Sequence, residues 1–395
     1  MTDVMFFCIP AHGHTNPTLK VVEALVRRGC RVRYFSFEMM RDKIEAAGAA
    51  FIPCDGFLPP APVDLEDKVG RDFASLIEMV ADTTLNLEDM VAEHIRAARP
   101  DVIVSDSVCF WGKLFALRYG IPFVCSTTTF AYNKHTARLM KQSPLELVRM
   151  VTGMPRINAA MARLRAGGYP VKDFVSVIQN DNDTPTMVYT SRHFQPMAET
   201  FSDRYAFVGP LPRTTPQPVP ARGRPRIYVS MGSVLNKNTG FFMCCVEALG
   251  GLDADVTISA DIQPPAGLPA NIKVYPWVDQ MAVLAESDLF VTHCGMNSVS
   301  ESLYMGVPMV LFPQHAEEYA VAVRAEELGA GVRIKKGNAG TIRQAAERVL
   351  AHESYRRAAQ VIRKEFLSCG GAEQAAEYIL KQAPEMAAAE QNGRA

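Results

Sequence analysis

The chain has 395 residues, long for one hydrophobic core and of a size that suits two domains. It is 48% hydrophobic and 21% charged with a formal net charge of −1, which excludes a disordered chain and leaves no basic footprint for nucleic acid or an anionic surface. Its nine cysteines show no C-x-x-C, no basic leader opens the chain and no apolar run reaches bilayer length, so a reduced, soluble, cytoplasmic protein without membrane insertion is expected.

Residues 4–10 (VMFFCIP) are a continuous apolar run, the pattern of a parallel strand buried on both faces. A turn over 11–16 (AHGHTN) follows. Pro17 fits the first position of a helix in which Leu19, Val22 and Val26 recur at helical spacing. Strands at 31–37 and 50–54 flank a second helix. The Pro-rich stretch 55–70 reads as loop, 71–98 as a long amphipathic helix and 101–106 (DVIVSD) as the next strand. A helix at 111–119 and a strand at 122–126 continue the alternation. Residues 127–170 read as irregular helix inserted over the open end of the sheet, and 187–190 and 206–208 as the last strands of this half.

Residues 209–225 (GPLPRTTPQPVPARGRP) read as a linker, because their prolines cannot join a sheet interior and favour an extended spacer. A second alternating half begins at 227–231 (IYVSM), followed by Gly232 and Ser233, with strands at 256–259, 272–275, 289–292, 309–312 and 332–334. Such alternation predicts two Rossmann-like α/β domains with parallel sheets, 1–212 and 226–375, joined by a linker over 213–225 and followed by a C-terminal helix and tail over 376–395. Ligands of such sheets bind beyond the carboxyl ends of the strands, which predicts a site in a cleft between the halves.

Two constellations carry chemistry. His14 follows the first strand, where an imidazole titrating near neutral pH can take a proton from a hydroxyl. A packed or solvated histidine, or a metal pair with His12, are the competing readings; the latter has no third ligand nearby in sequence. The second constellation spans 277–318. A strand ending in a small-residue turn that opens a helix points N–H groups at whatever lies above it, and His293, Asn297 and Ser298 add donors, which suits a phosphate. Glu301, a turn further on, is placed to accept from ribose hydroxyls; Trp277 offers a face to a nucleobase, and Glu317 and Glu318 acceptors to a sugar. Each piece alone is ordinary: a tryptophan at a strand end commonly packs in the core, and a Glu-Glu pair at a helix start balances the dipole. Together they describe a nucleotide-sugar pocket.

At these residues the chain resembles the UDP-dependent glycosyltransferases of the bacterial macrolide type. WVDQ, with Trp277, Val278 and Gln280, is similar to the family's W-V-P-Q. HCGMNSVSE, with His293, Gly295, Met296, Asn297, Ser298 and Glu301, resembles H-x-G-x-x-S-x-x-E, and GHTNP resembles G-H-x-x-P. PQHAEE stands where P-x-x-x-[DE]-Q is usual, so that Glu318 replaces a glutamine. The resemblance covers nearly the whole chain. It implies the GT-B fold, a last helix crossing back to the first domain, His14 as general base and Asp106 as the carboxylate that orients it. It also implies inverting, metal-independent transfer of a hexose from a UDP-sugar to a hydroxyl of a small hydrophobic acceptor such as a macrolide, flavonoid or other phenolic. The UDP-sugar is then a co-substrate, with no further cofactor; Gly232 and Ser233 join the diphosphate cradle, and the adjacent carboxylates favour UDP-glucose over a donor that carries its own carboxylate. Trp111, Phe130 and Tyr132 are candidates for the acceptor pocket.

Four alternatives stand beside this. Asp181-Asn182-Asp183 has the form of a metal-binding pair. A dehydrogenase shares the fold class, although the first turn lacks G-x-G-x-x-G. A non-catalytic nucleotide-sugar-binding protein needs no base. Transfer to a lipid acceptor at a membrane calls for a basic patch, which Arg138, Lys141, Arg149, Arg156, Arg163 and Arg165 supply in one segment.

Overall fold

The computed structural model describes residues 1–57, 72–136, 144–180, 182–219, 223–232 and 235–384. The chain divides into two compact units: Met1–Tyr189, Glu199–Leu211 and the chain from Gly370 form one, Thr190–Ala198 and Pro212–Cys369 the other.

In the first unit seven strands pair in parallel: β1 (Asp3–Phe7), β2 (Arg31–Ser36), β3 (Ala50–Pro53), β4 (Val102–Asp106), β5 (Phe123–Thr127), β6 (Thr186–Val188) and β7 (Tyr205–Phe207). Their spatial order is β3-β2-β1-β4-β5-β6-β7. Period-two alternation sends Met5, Phe7 and Ile103 into one helix layer and Val4, Phe6 and Val104 into the other. Both faces are covered, which is why the strands read as unbroken apolar runs. Burying each of Phe6, Phe7 and Phe35 stabilises the sheet by about 1.5–3 kcal/mol. The order reverses between β1 and β4, so their carboxyl ends flank a crevice.

The expected turn before Pro17 is itself helical. The helix spans His12–Arg27, with the N–H groups of His14 and Thr15 donating to the Ala11 carbonyl at 3.0 and 2.9 Å. Pro17 therefore lies inside the helix, and His14 sits in its first turn, directly above β1. The segment read as irregular contains one continuous helix, Pro144–Ala166, laid along the helix Phe73–Ala97 with Ile157, Ala160, Met161 and Leu164 in the core. Arg156 pairs with Asp72 and Glu78, and Arg163 with Asp82. Arg165 donates to the Val171 and Lys172 carbonyls. Acidic partners on the neighbouring helix thus neutralise arginines that the membrane reading needed as a patch; Arg138 and Lys141 lie outside the described residues. No helix among the described residues is long and apolar enough to cross a membrane.

The second unit holds β8 (Arg226–Ser230), β9 (Asp255–Ser259), β10 (Ile272–Tyr275), β11 (Leu289–Thr292), β12 (Met309–Leu311) and β13 (Gly331–Arg333), all parallel, in the order β10-β9-β8-β11-β12-β13. Here the order reverses between β8 and β11. The Pro-rich stretch forms no regular element over its described residues, and the Val219 N–H donates to the Ala285 carbonyl at 2.7 Å, so its end is docked on this unit. Thr190–Ala198, expected in the first domain, is held in the second. Arg324 donates to the carbonyls of His193 and Phe194, and Phe194 packs edge-on against Phe366. The return to the first unit begins at Gly370, earlier than the expected 376, and the helix Gly371–Leu380 buries Ala375, Ala376 and Ile379 beside Val21, Val22 and Leu25.

Candidate active site

At the first switch point β4 ends in Asp106, whose side chain is fully buried. Its Oδ1 accepts from the Val108 N–H at 3.0 Å and its Oδ2 lies 2.8 Å from His14 Nδ1. An ionised carboxylate only accepts, so Nδ1 carries the proton and Nε2 keeps the lone pair. The His14 side chain is one-fifth exposed, open enough to meet a substrate. Thr128, just past β5, places its Oγ1 3.0 Å from the same Nδ1. Burial, with the charge of Asp106 adding to it, holds the thiols of Cys8 and Cys125 far above their usual range, so these near neighbours stay neutral and inert. His12 points elsewhere: its Nδ1 accepts from Lys43 Nζ at 3.1 Å. Among the described residues no group of three His, Cys, Asp or Glu side chains is arranged to hold a metal ion.

At the second switch point Gly232 follows β8 and His293 follows β11. Gly232 has φ +71°, and a Cβ there would stand 2.6 Å from His293 Cε1; a Cβ on Gly295 would stand 2.7 Å from His293 Nε2. The imidazole is thus wedged against bare backbone on two sides. Burial, with the neighbouring His315 adding to it, pushes His293 down to about 4, so it is neutral at physiological pH. Its Nδ1 is buried with no hydrogen-bond partner among the described residues, an atom that calls for a ligand or a reason. Cys294 takes φ +76°, a region that costs a non-glycine residue roughly 1–2 kcal/mol. Its N–H, donating to Thr292 Oγ1 at 3.2 Å, helps hold it there. The turn then opens the helix Met296–Met305, whose N-cap Gly295 brings no capping side chain, and the N–H groups of its first turn point along the axis toward its amino end.

Ser298 and Glu301 are three apart, on one helix face, and both reach Gln280. Gln280 Nε2 donates to Glu301 Oε2 at 2.6 Å and lies 3.4 Å from Ser298 Oγ. Burial raises the Glu301 carboxyl, and the bond from Gln280 partly offsets this. Asp279, standing where the motif has proline, caps the helix Gln280–Ala285 by accepting from the Met281 and Ala282 N–H groups and so sets Gln280 in place. Trp277 is 76% exposed, so it is no core residue, and Val278 beside it is half-buried. Ser233 lies outside the described residues, as does Asp181 of the Asp181–Asp183 motif.

The two glutamates differ. Glu318 Oε2 accepts from the backbone N–H groups of Gln314 and His315 at 2.7 and 3.1 Å, while Oε1 lies 3.9 Å from His293 Nε2. Glu318 is therefore a helix cap first, in the first turn of Ala316–Glu327, and burial raises its carboxyl. Glu317, about 100° away on the helix, is exposed, so the adjacent carboxylates differ: Glu318 caps the helix with one oxygen and keeps the other near His293. Of the three acceptor candidates, Trp111 packs in the core with Leu114 and Phe115, Phe130 is buried, and Tyr132 is half-buried.

A family model described as UDP-glucoronosyl and UDP-glucosyl transferase matches residues 191–364. The demethyllactenocin mycarosyltransferase of Streptomyces fradiae is 33% identical, over 96% of this chain and 86% of its own length. An uncharacterized UDP-glucosyltransferase of Bacillus subtilis strain 168, YdhE, is 31% identical over 96% of this chain and 98% of its own. Among solved structures, the glycotransferase of kitacinnamycin superposes with a TM-score of 0.82 at 26% identity, covering 97% of this chain and 99% of that one. The calicheamicin glycosyltransferase CalG4 does so at 0.78 and 29%, covering 97% and 98%.

Proposed function

The chain belongs to the UDP-glycosyltransferase family, in its bacterial macrolide-glycosyltransferase branch, and has the GT-B fold; from that premise we propose that it transfers glucose from UDP-glucose to a hydroxyl of a small hydrophobic acceptor. Macrolides, flavonoids and other phenolics are the acceptor class, and the cytoplasm, suited to nine free thiols, is the compartment. The observation that carries the reading is the bond from His14 Nδ1 to the buried Asp106, which leaves Nε2 as a base. His14 takes the acceptor proton as the oxygen attacks the anomeric carbon and the bond to UDP breaks on the opposite face, inverting the configuration. Asp106 holds the tautomer and stabilises the imidazolium. Charge appearing on the departing diphosphate is met by the first-turn N–H groups after Gly295 and by neutral His293, whose orphaned Nδ1 gains a partner. Gln280 and Glu301 receive the ribose and Trp277 the base. A mass-spectrometric acceptor screen with UDP-glucose tests the reading; failure to glycosylate any phenol or macrolide sinks it. A merely binding protein has no use for the His14–Asp106 pair, and two of the six basic residues the lipid-acceptor reading needs, Arg156 and Arg163, are held in ion pairs.

Two expected results follow from the donor site. Activity survives excess chelator, because helix N–H groups and His293 carry the leaving group's charge; loss on chelation with rescue by Mn²⁺ or Mg²⁺ would return the role to a metal. UDP-glucose is used in preference to UDP-glucuronic acid by at least about tenfold in kcat/KM, equivalent to about 1.4 kcal/mol, since Glu318 meets a donor carboxylate with like charge. Glu318→Gln narrows that gap while keeping an oxygen for the Gln314 and His315 N–H groups. Equal use of the two donors by the wild-type enzyme overturns the assignment.

A further inference from the structure

Resting on the assignment of His14 as the base, we infer that Thr128 is a positioning residue that fixes the ring of that base. The bond to Asp106 restrains the ring at Nδ1 along one direction. Thr128 Oγ1, 3.0 Å from Nδ1, adds a second restraint from a different strand end. The two partners are held in register, because β4 and β5 are adjacent, Asp106 pairs with Ser126, and the Ser107 N–H donates to the Ser126 carbonyl at 2.9 Å. Thr128 itself is buried, so its hydroxyl is not dispersed into solvent. With the Nδ1 proton committed to the Asp106 carboxylate, the threonine oxygen acts as a second acceptor of that N–H. Two acceptors converging on one N–H keep the ring plane fixed and aim the Nε2 lone pair in one direction. They also share the positive charge that forms when Nε2 takes the acceptor's proton.

The role predicts a defect that depends on how much proton transfer the acceptor needs. With UDP-glucose and 4-methylumbelliferone, Thr128→Val is expected to lower kcat about tenfold, the scale of one lost hydrogen bond, with KM for UDP-glucose unchanged. Thr128→Ser restores most of the rate, since it returns the oxygen without the methyl group. With 4-nitrophenol at a pH where that phenol is already ionised, the Thr128→Val defect disappears, and so does most of the His14→Ala defect. A Thr128→Val loss that is equal for both phenols, or that serine fails to rescue, shows a packing role and overturns the inference. A His14→Ala variant insensitive to the phenol's ionisation overturns the reading beneath it instead, as does a wild-type chain that glycosylates neither phenol.

Discussion

Replacing His14 by alanine is expected to cut turnover by roughly 10²–10⁴-fold, the usual worth of a general base, with UDP affinity unchanged. The split follows from the architecture. His14 and Asp106 belong to the first unit and stand at the β1/β4 switch point, while every residue assigned to the nucleotide belongs to the second. Asp106→Asn is expected to lose up to a comparable factor for a different reason. The amide can donate to Nδ1, and the tautomer that then forms carries its proton on Nε2, where the lone pair is needed. Steady-state kinetics on a phenolic acceptor, beside calorimetry with UDP, measures both halves. Turnover close to wild type in His14→Ala sinks the assignment.

Replacing Trp277 by alanine is expected to weaken UDP binding by roughly 1–3 kcal/mol, the scale of a base stacked on an aromatic ring. A ring that is 76% exposed has no core role to lose, so thermal stability should hold while affinity falls. Glu301→Ala is expected to weaken UDP and leave inorganic diphosphate untouched, because the proposed partner of the carboxylate is the ribose alone. Its raised carboxyl sets the pH response. The ionised form accepts from ribose hydroxyls, and on acidification that form is lost at a higher pH than for a surface glutamate. The Glu301-dependent part of UDP affinity therefore falls with pH in that window, and Glu301→Gln removes the dependence. Unchanged UDP affinity in both Trp277→Ala and Glu301→Ala moves the nucleotide elsewhere.

Much of this was legible in the residues. The thirteen strands among the described residues stand where short apolar runs bounded by turn residues placed them, as strands of parallel sheets covered on both faces do. His14, Asp106 and the motif from His293 to Glu301 were singled out by their likeness to the family's motifs, and the structure sets them beside the ends of β1, β4 and β11. What the sequence hid depends on partners distant in sequence. Thr128 lies in a run of three threonines and only the pairing of β4 with β5 shows which one meets His14. That Glu318 also caps its helix shows only in its bonds to the Gln314 and His315 N–H groups. The arginines of 149–165 read as a patch until the neighbouring helix brings Asp72, Glu78 and Asp82 against two of them. Pro17 misled for a local reason: proline is so well suited to a first helical position that its presence hid five helical residues before it.

The return of the last helix to the first unit has a bearing on how the molecule is made. Ala375, Ala376 and Ile379 lie in the same apolar cluster as Val4, Val21 and Leu25, and Glu373 bridges Arg27 and Arg28 on the opposing helix. A polypeptide emerging from the ribosome therefore cannot complete its amino-terminal half when Leu211 appears; that half keeps an uncovered apolar stripe until Gly371–Leu380 has been synthesised. The carboxyl-terminal half, by contrast, has its last described contacts once Cys369 is out. The portion translated second can close first, and no single cut yields two self-sufficient fragments.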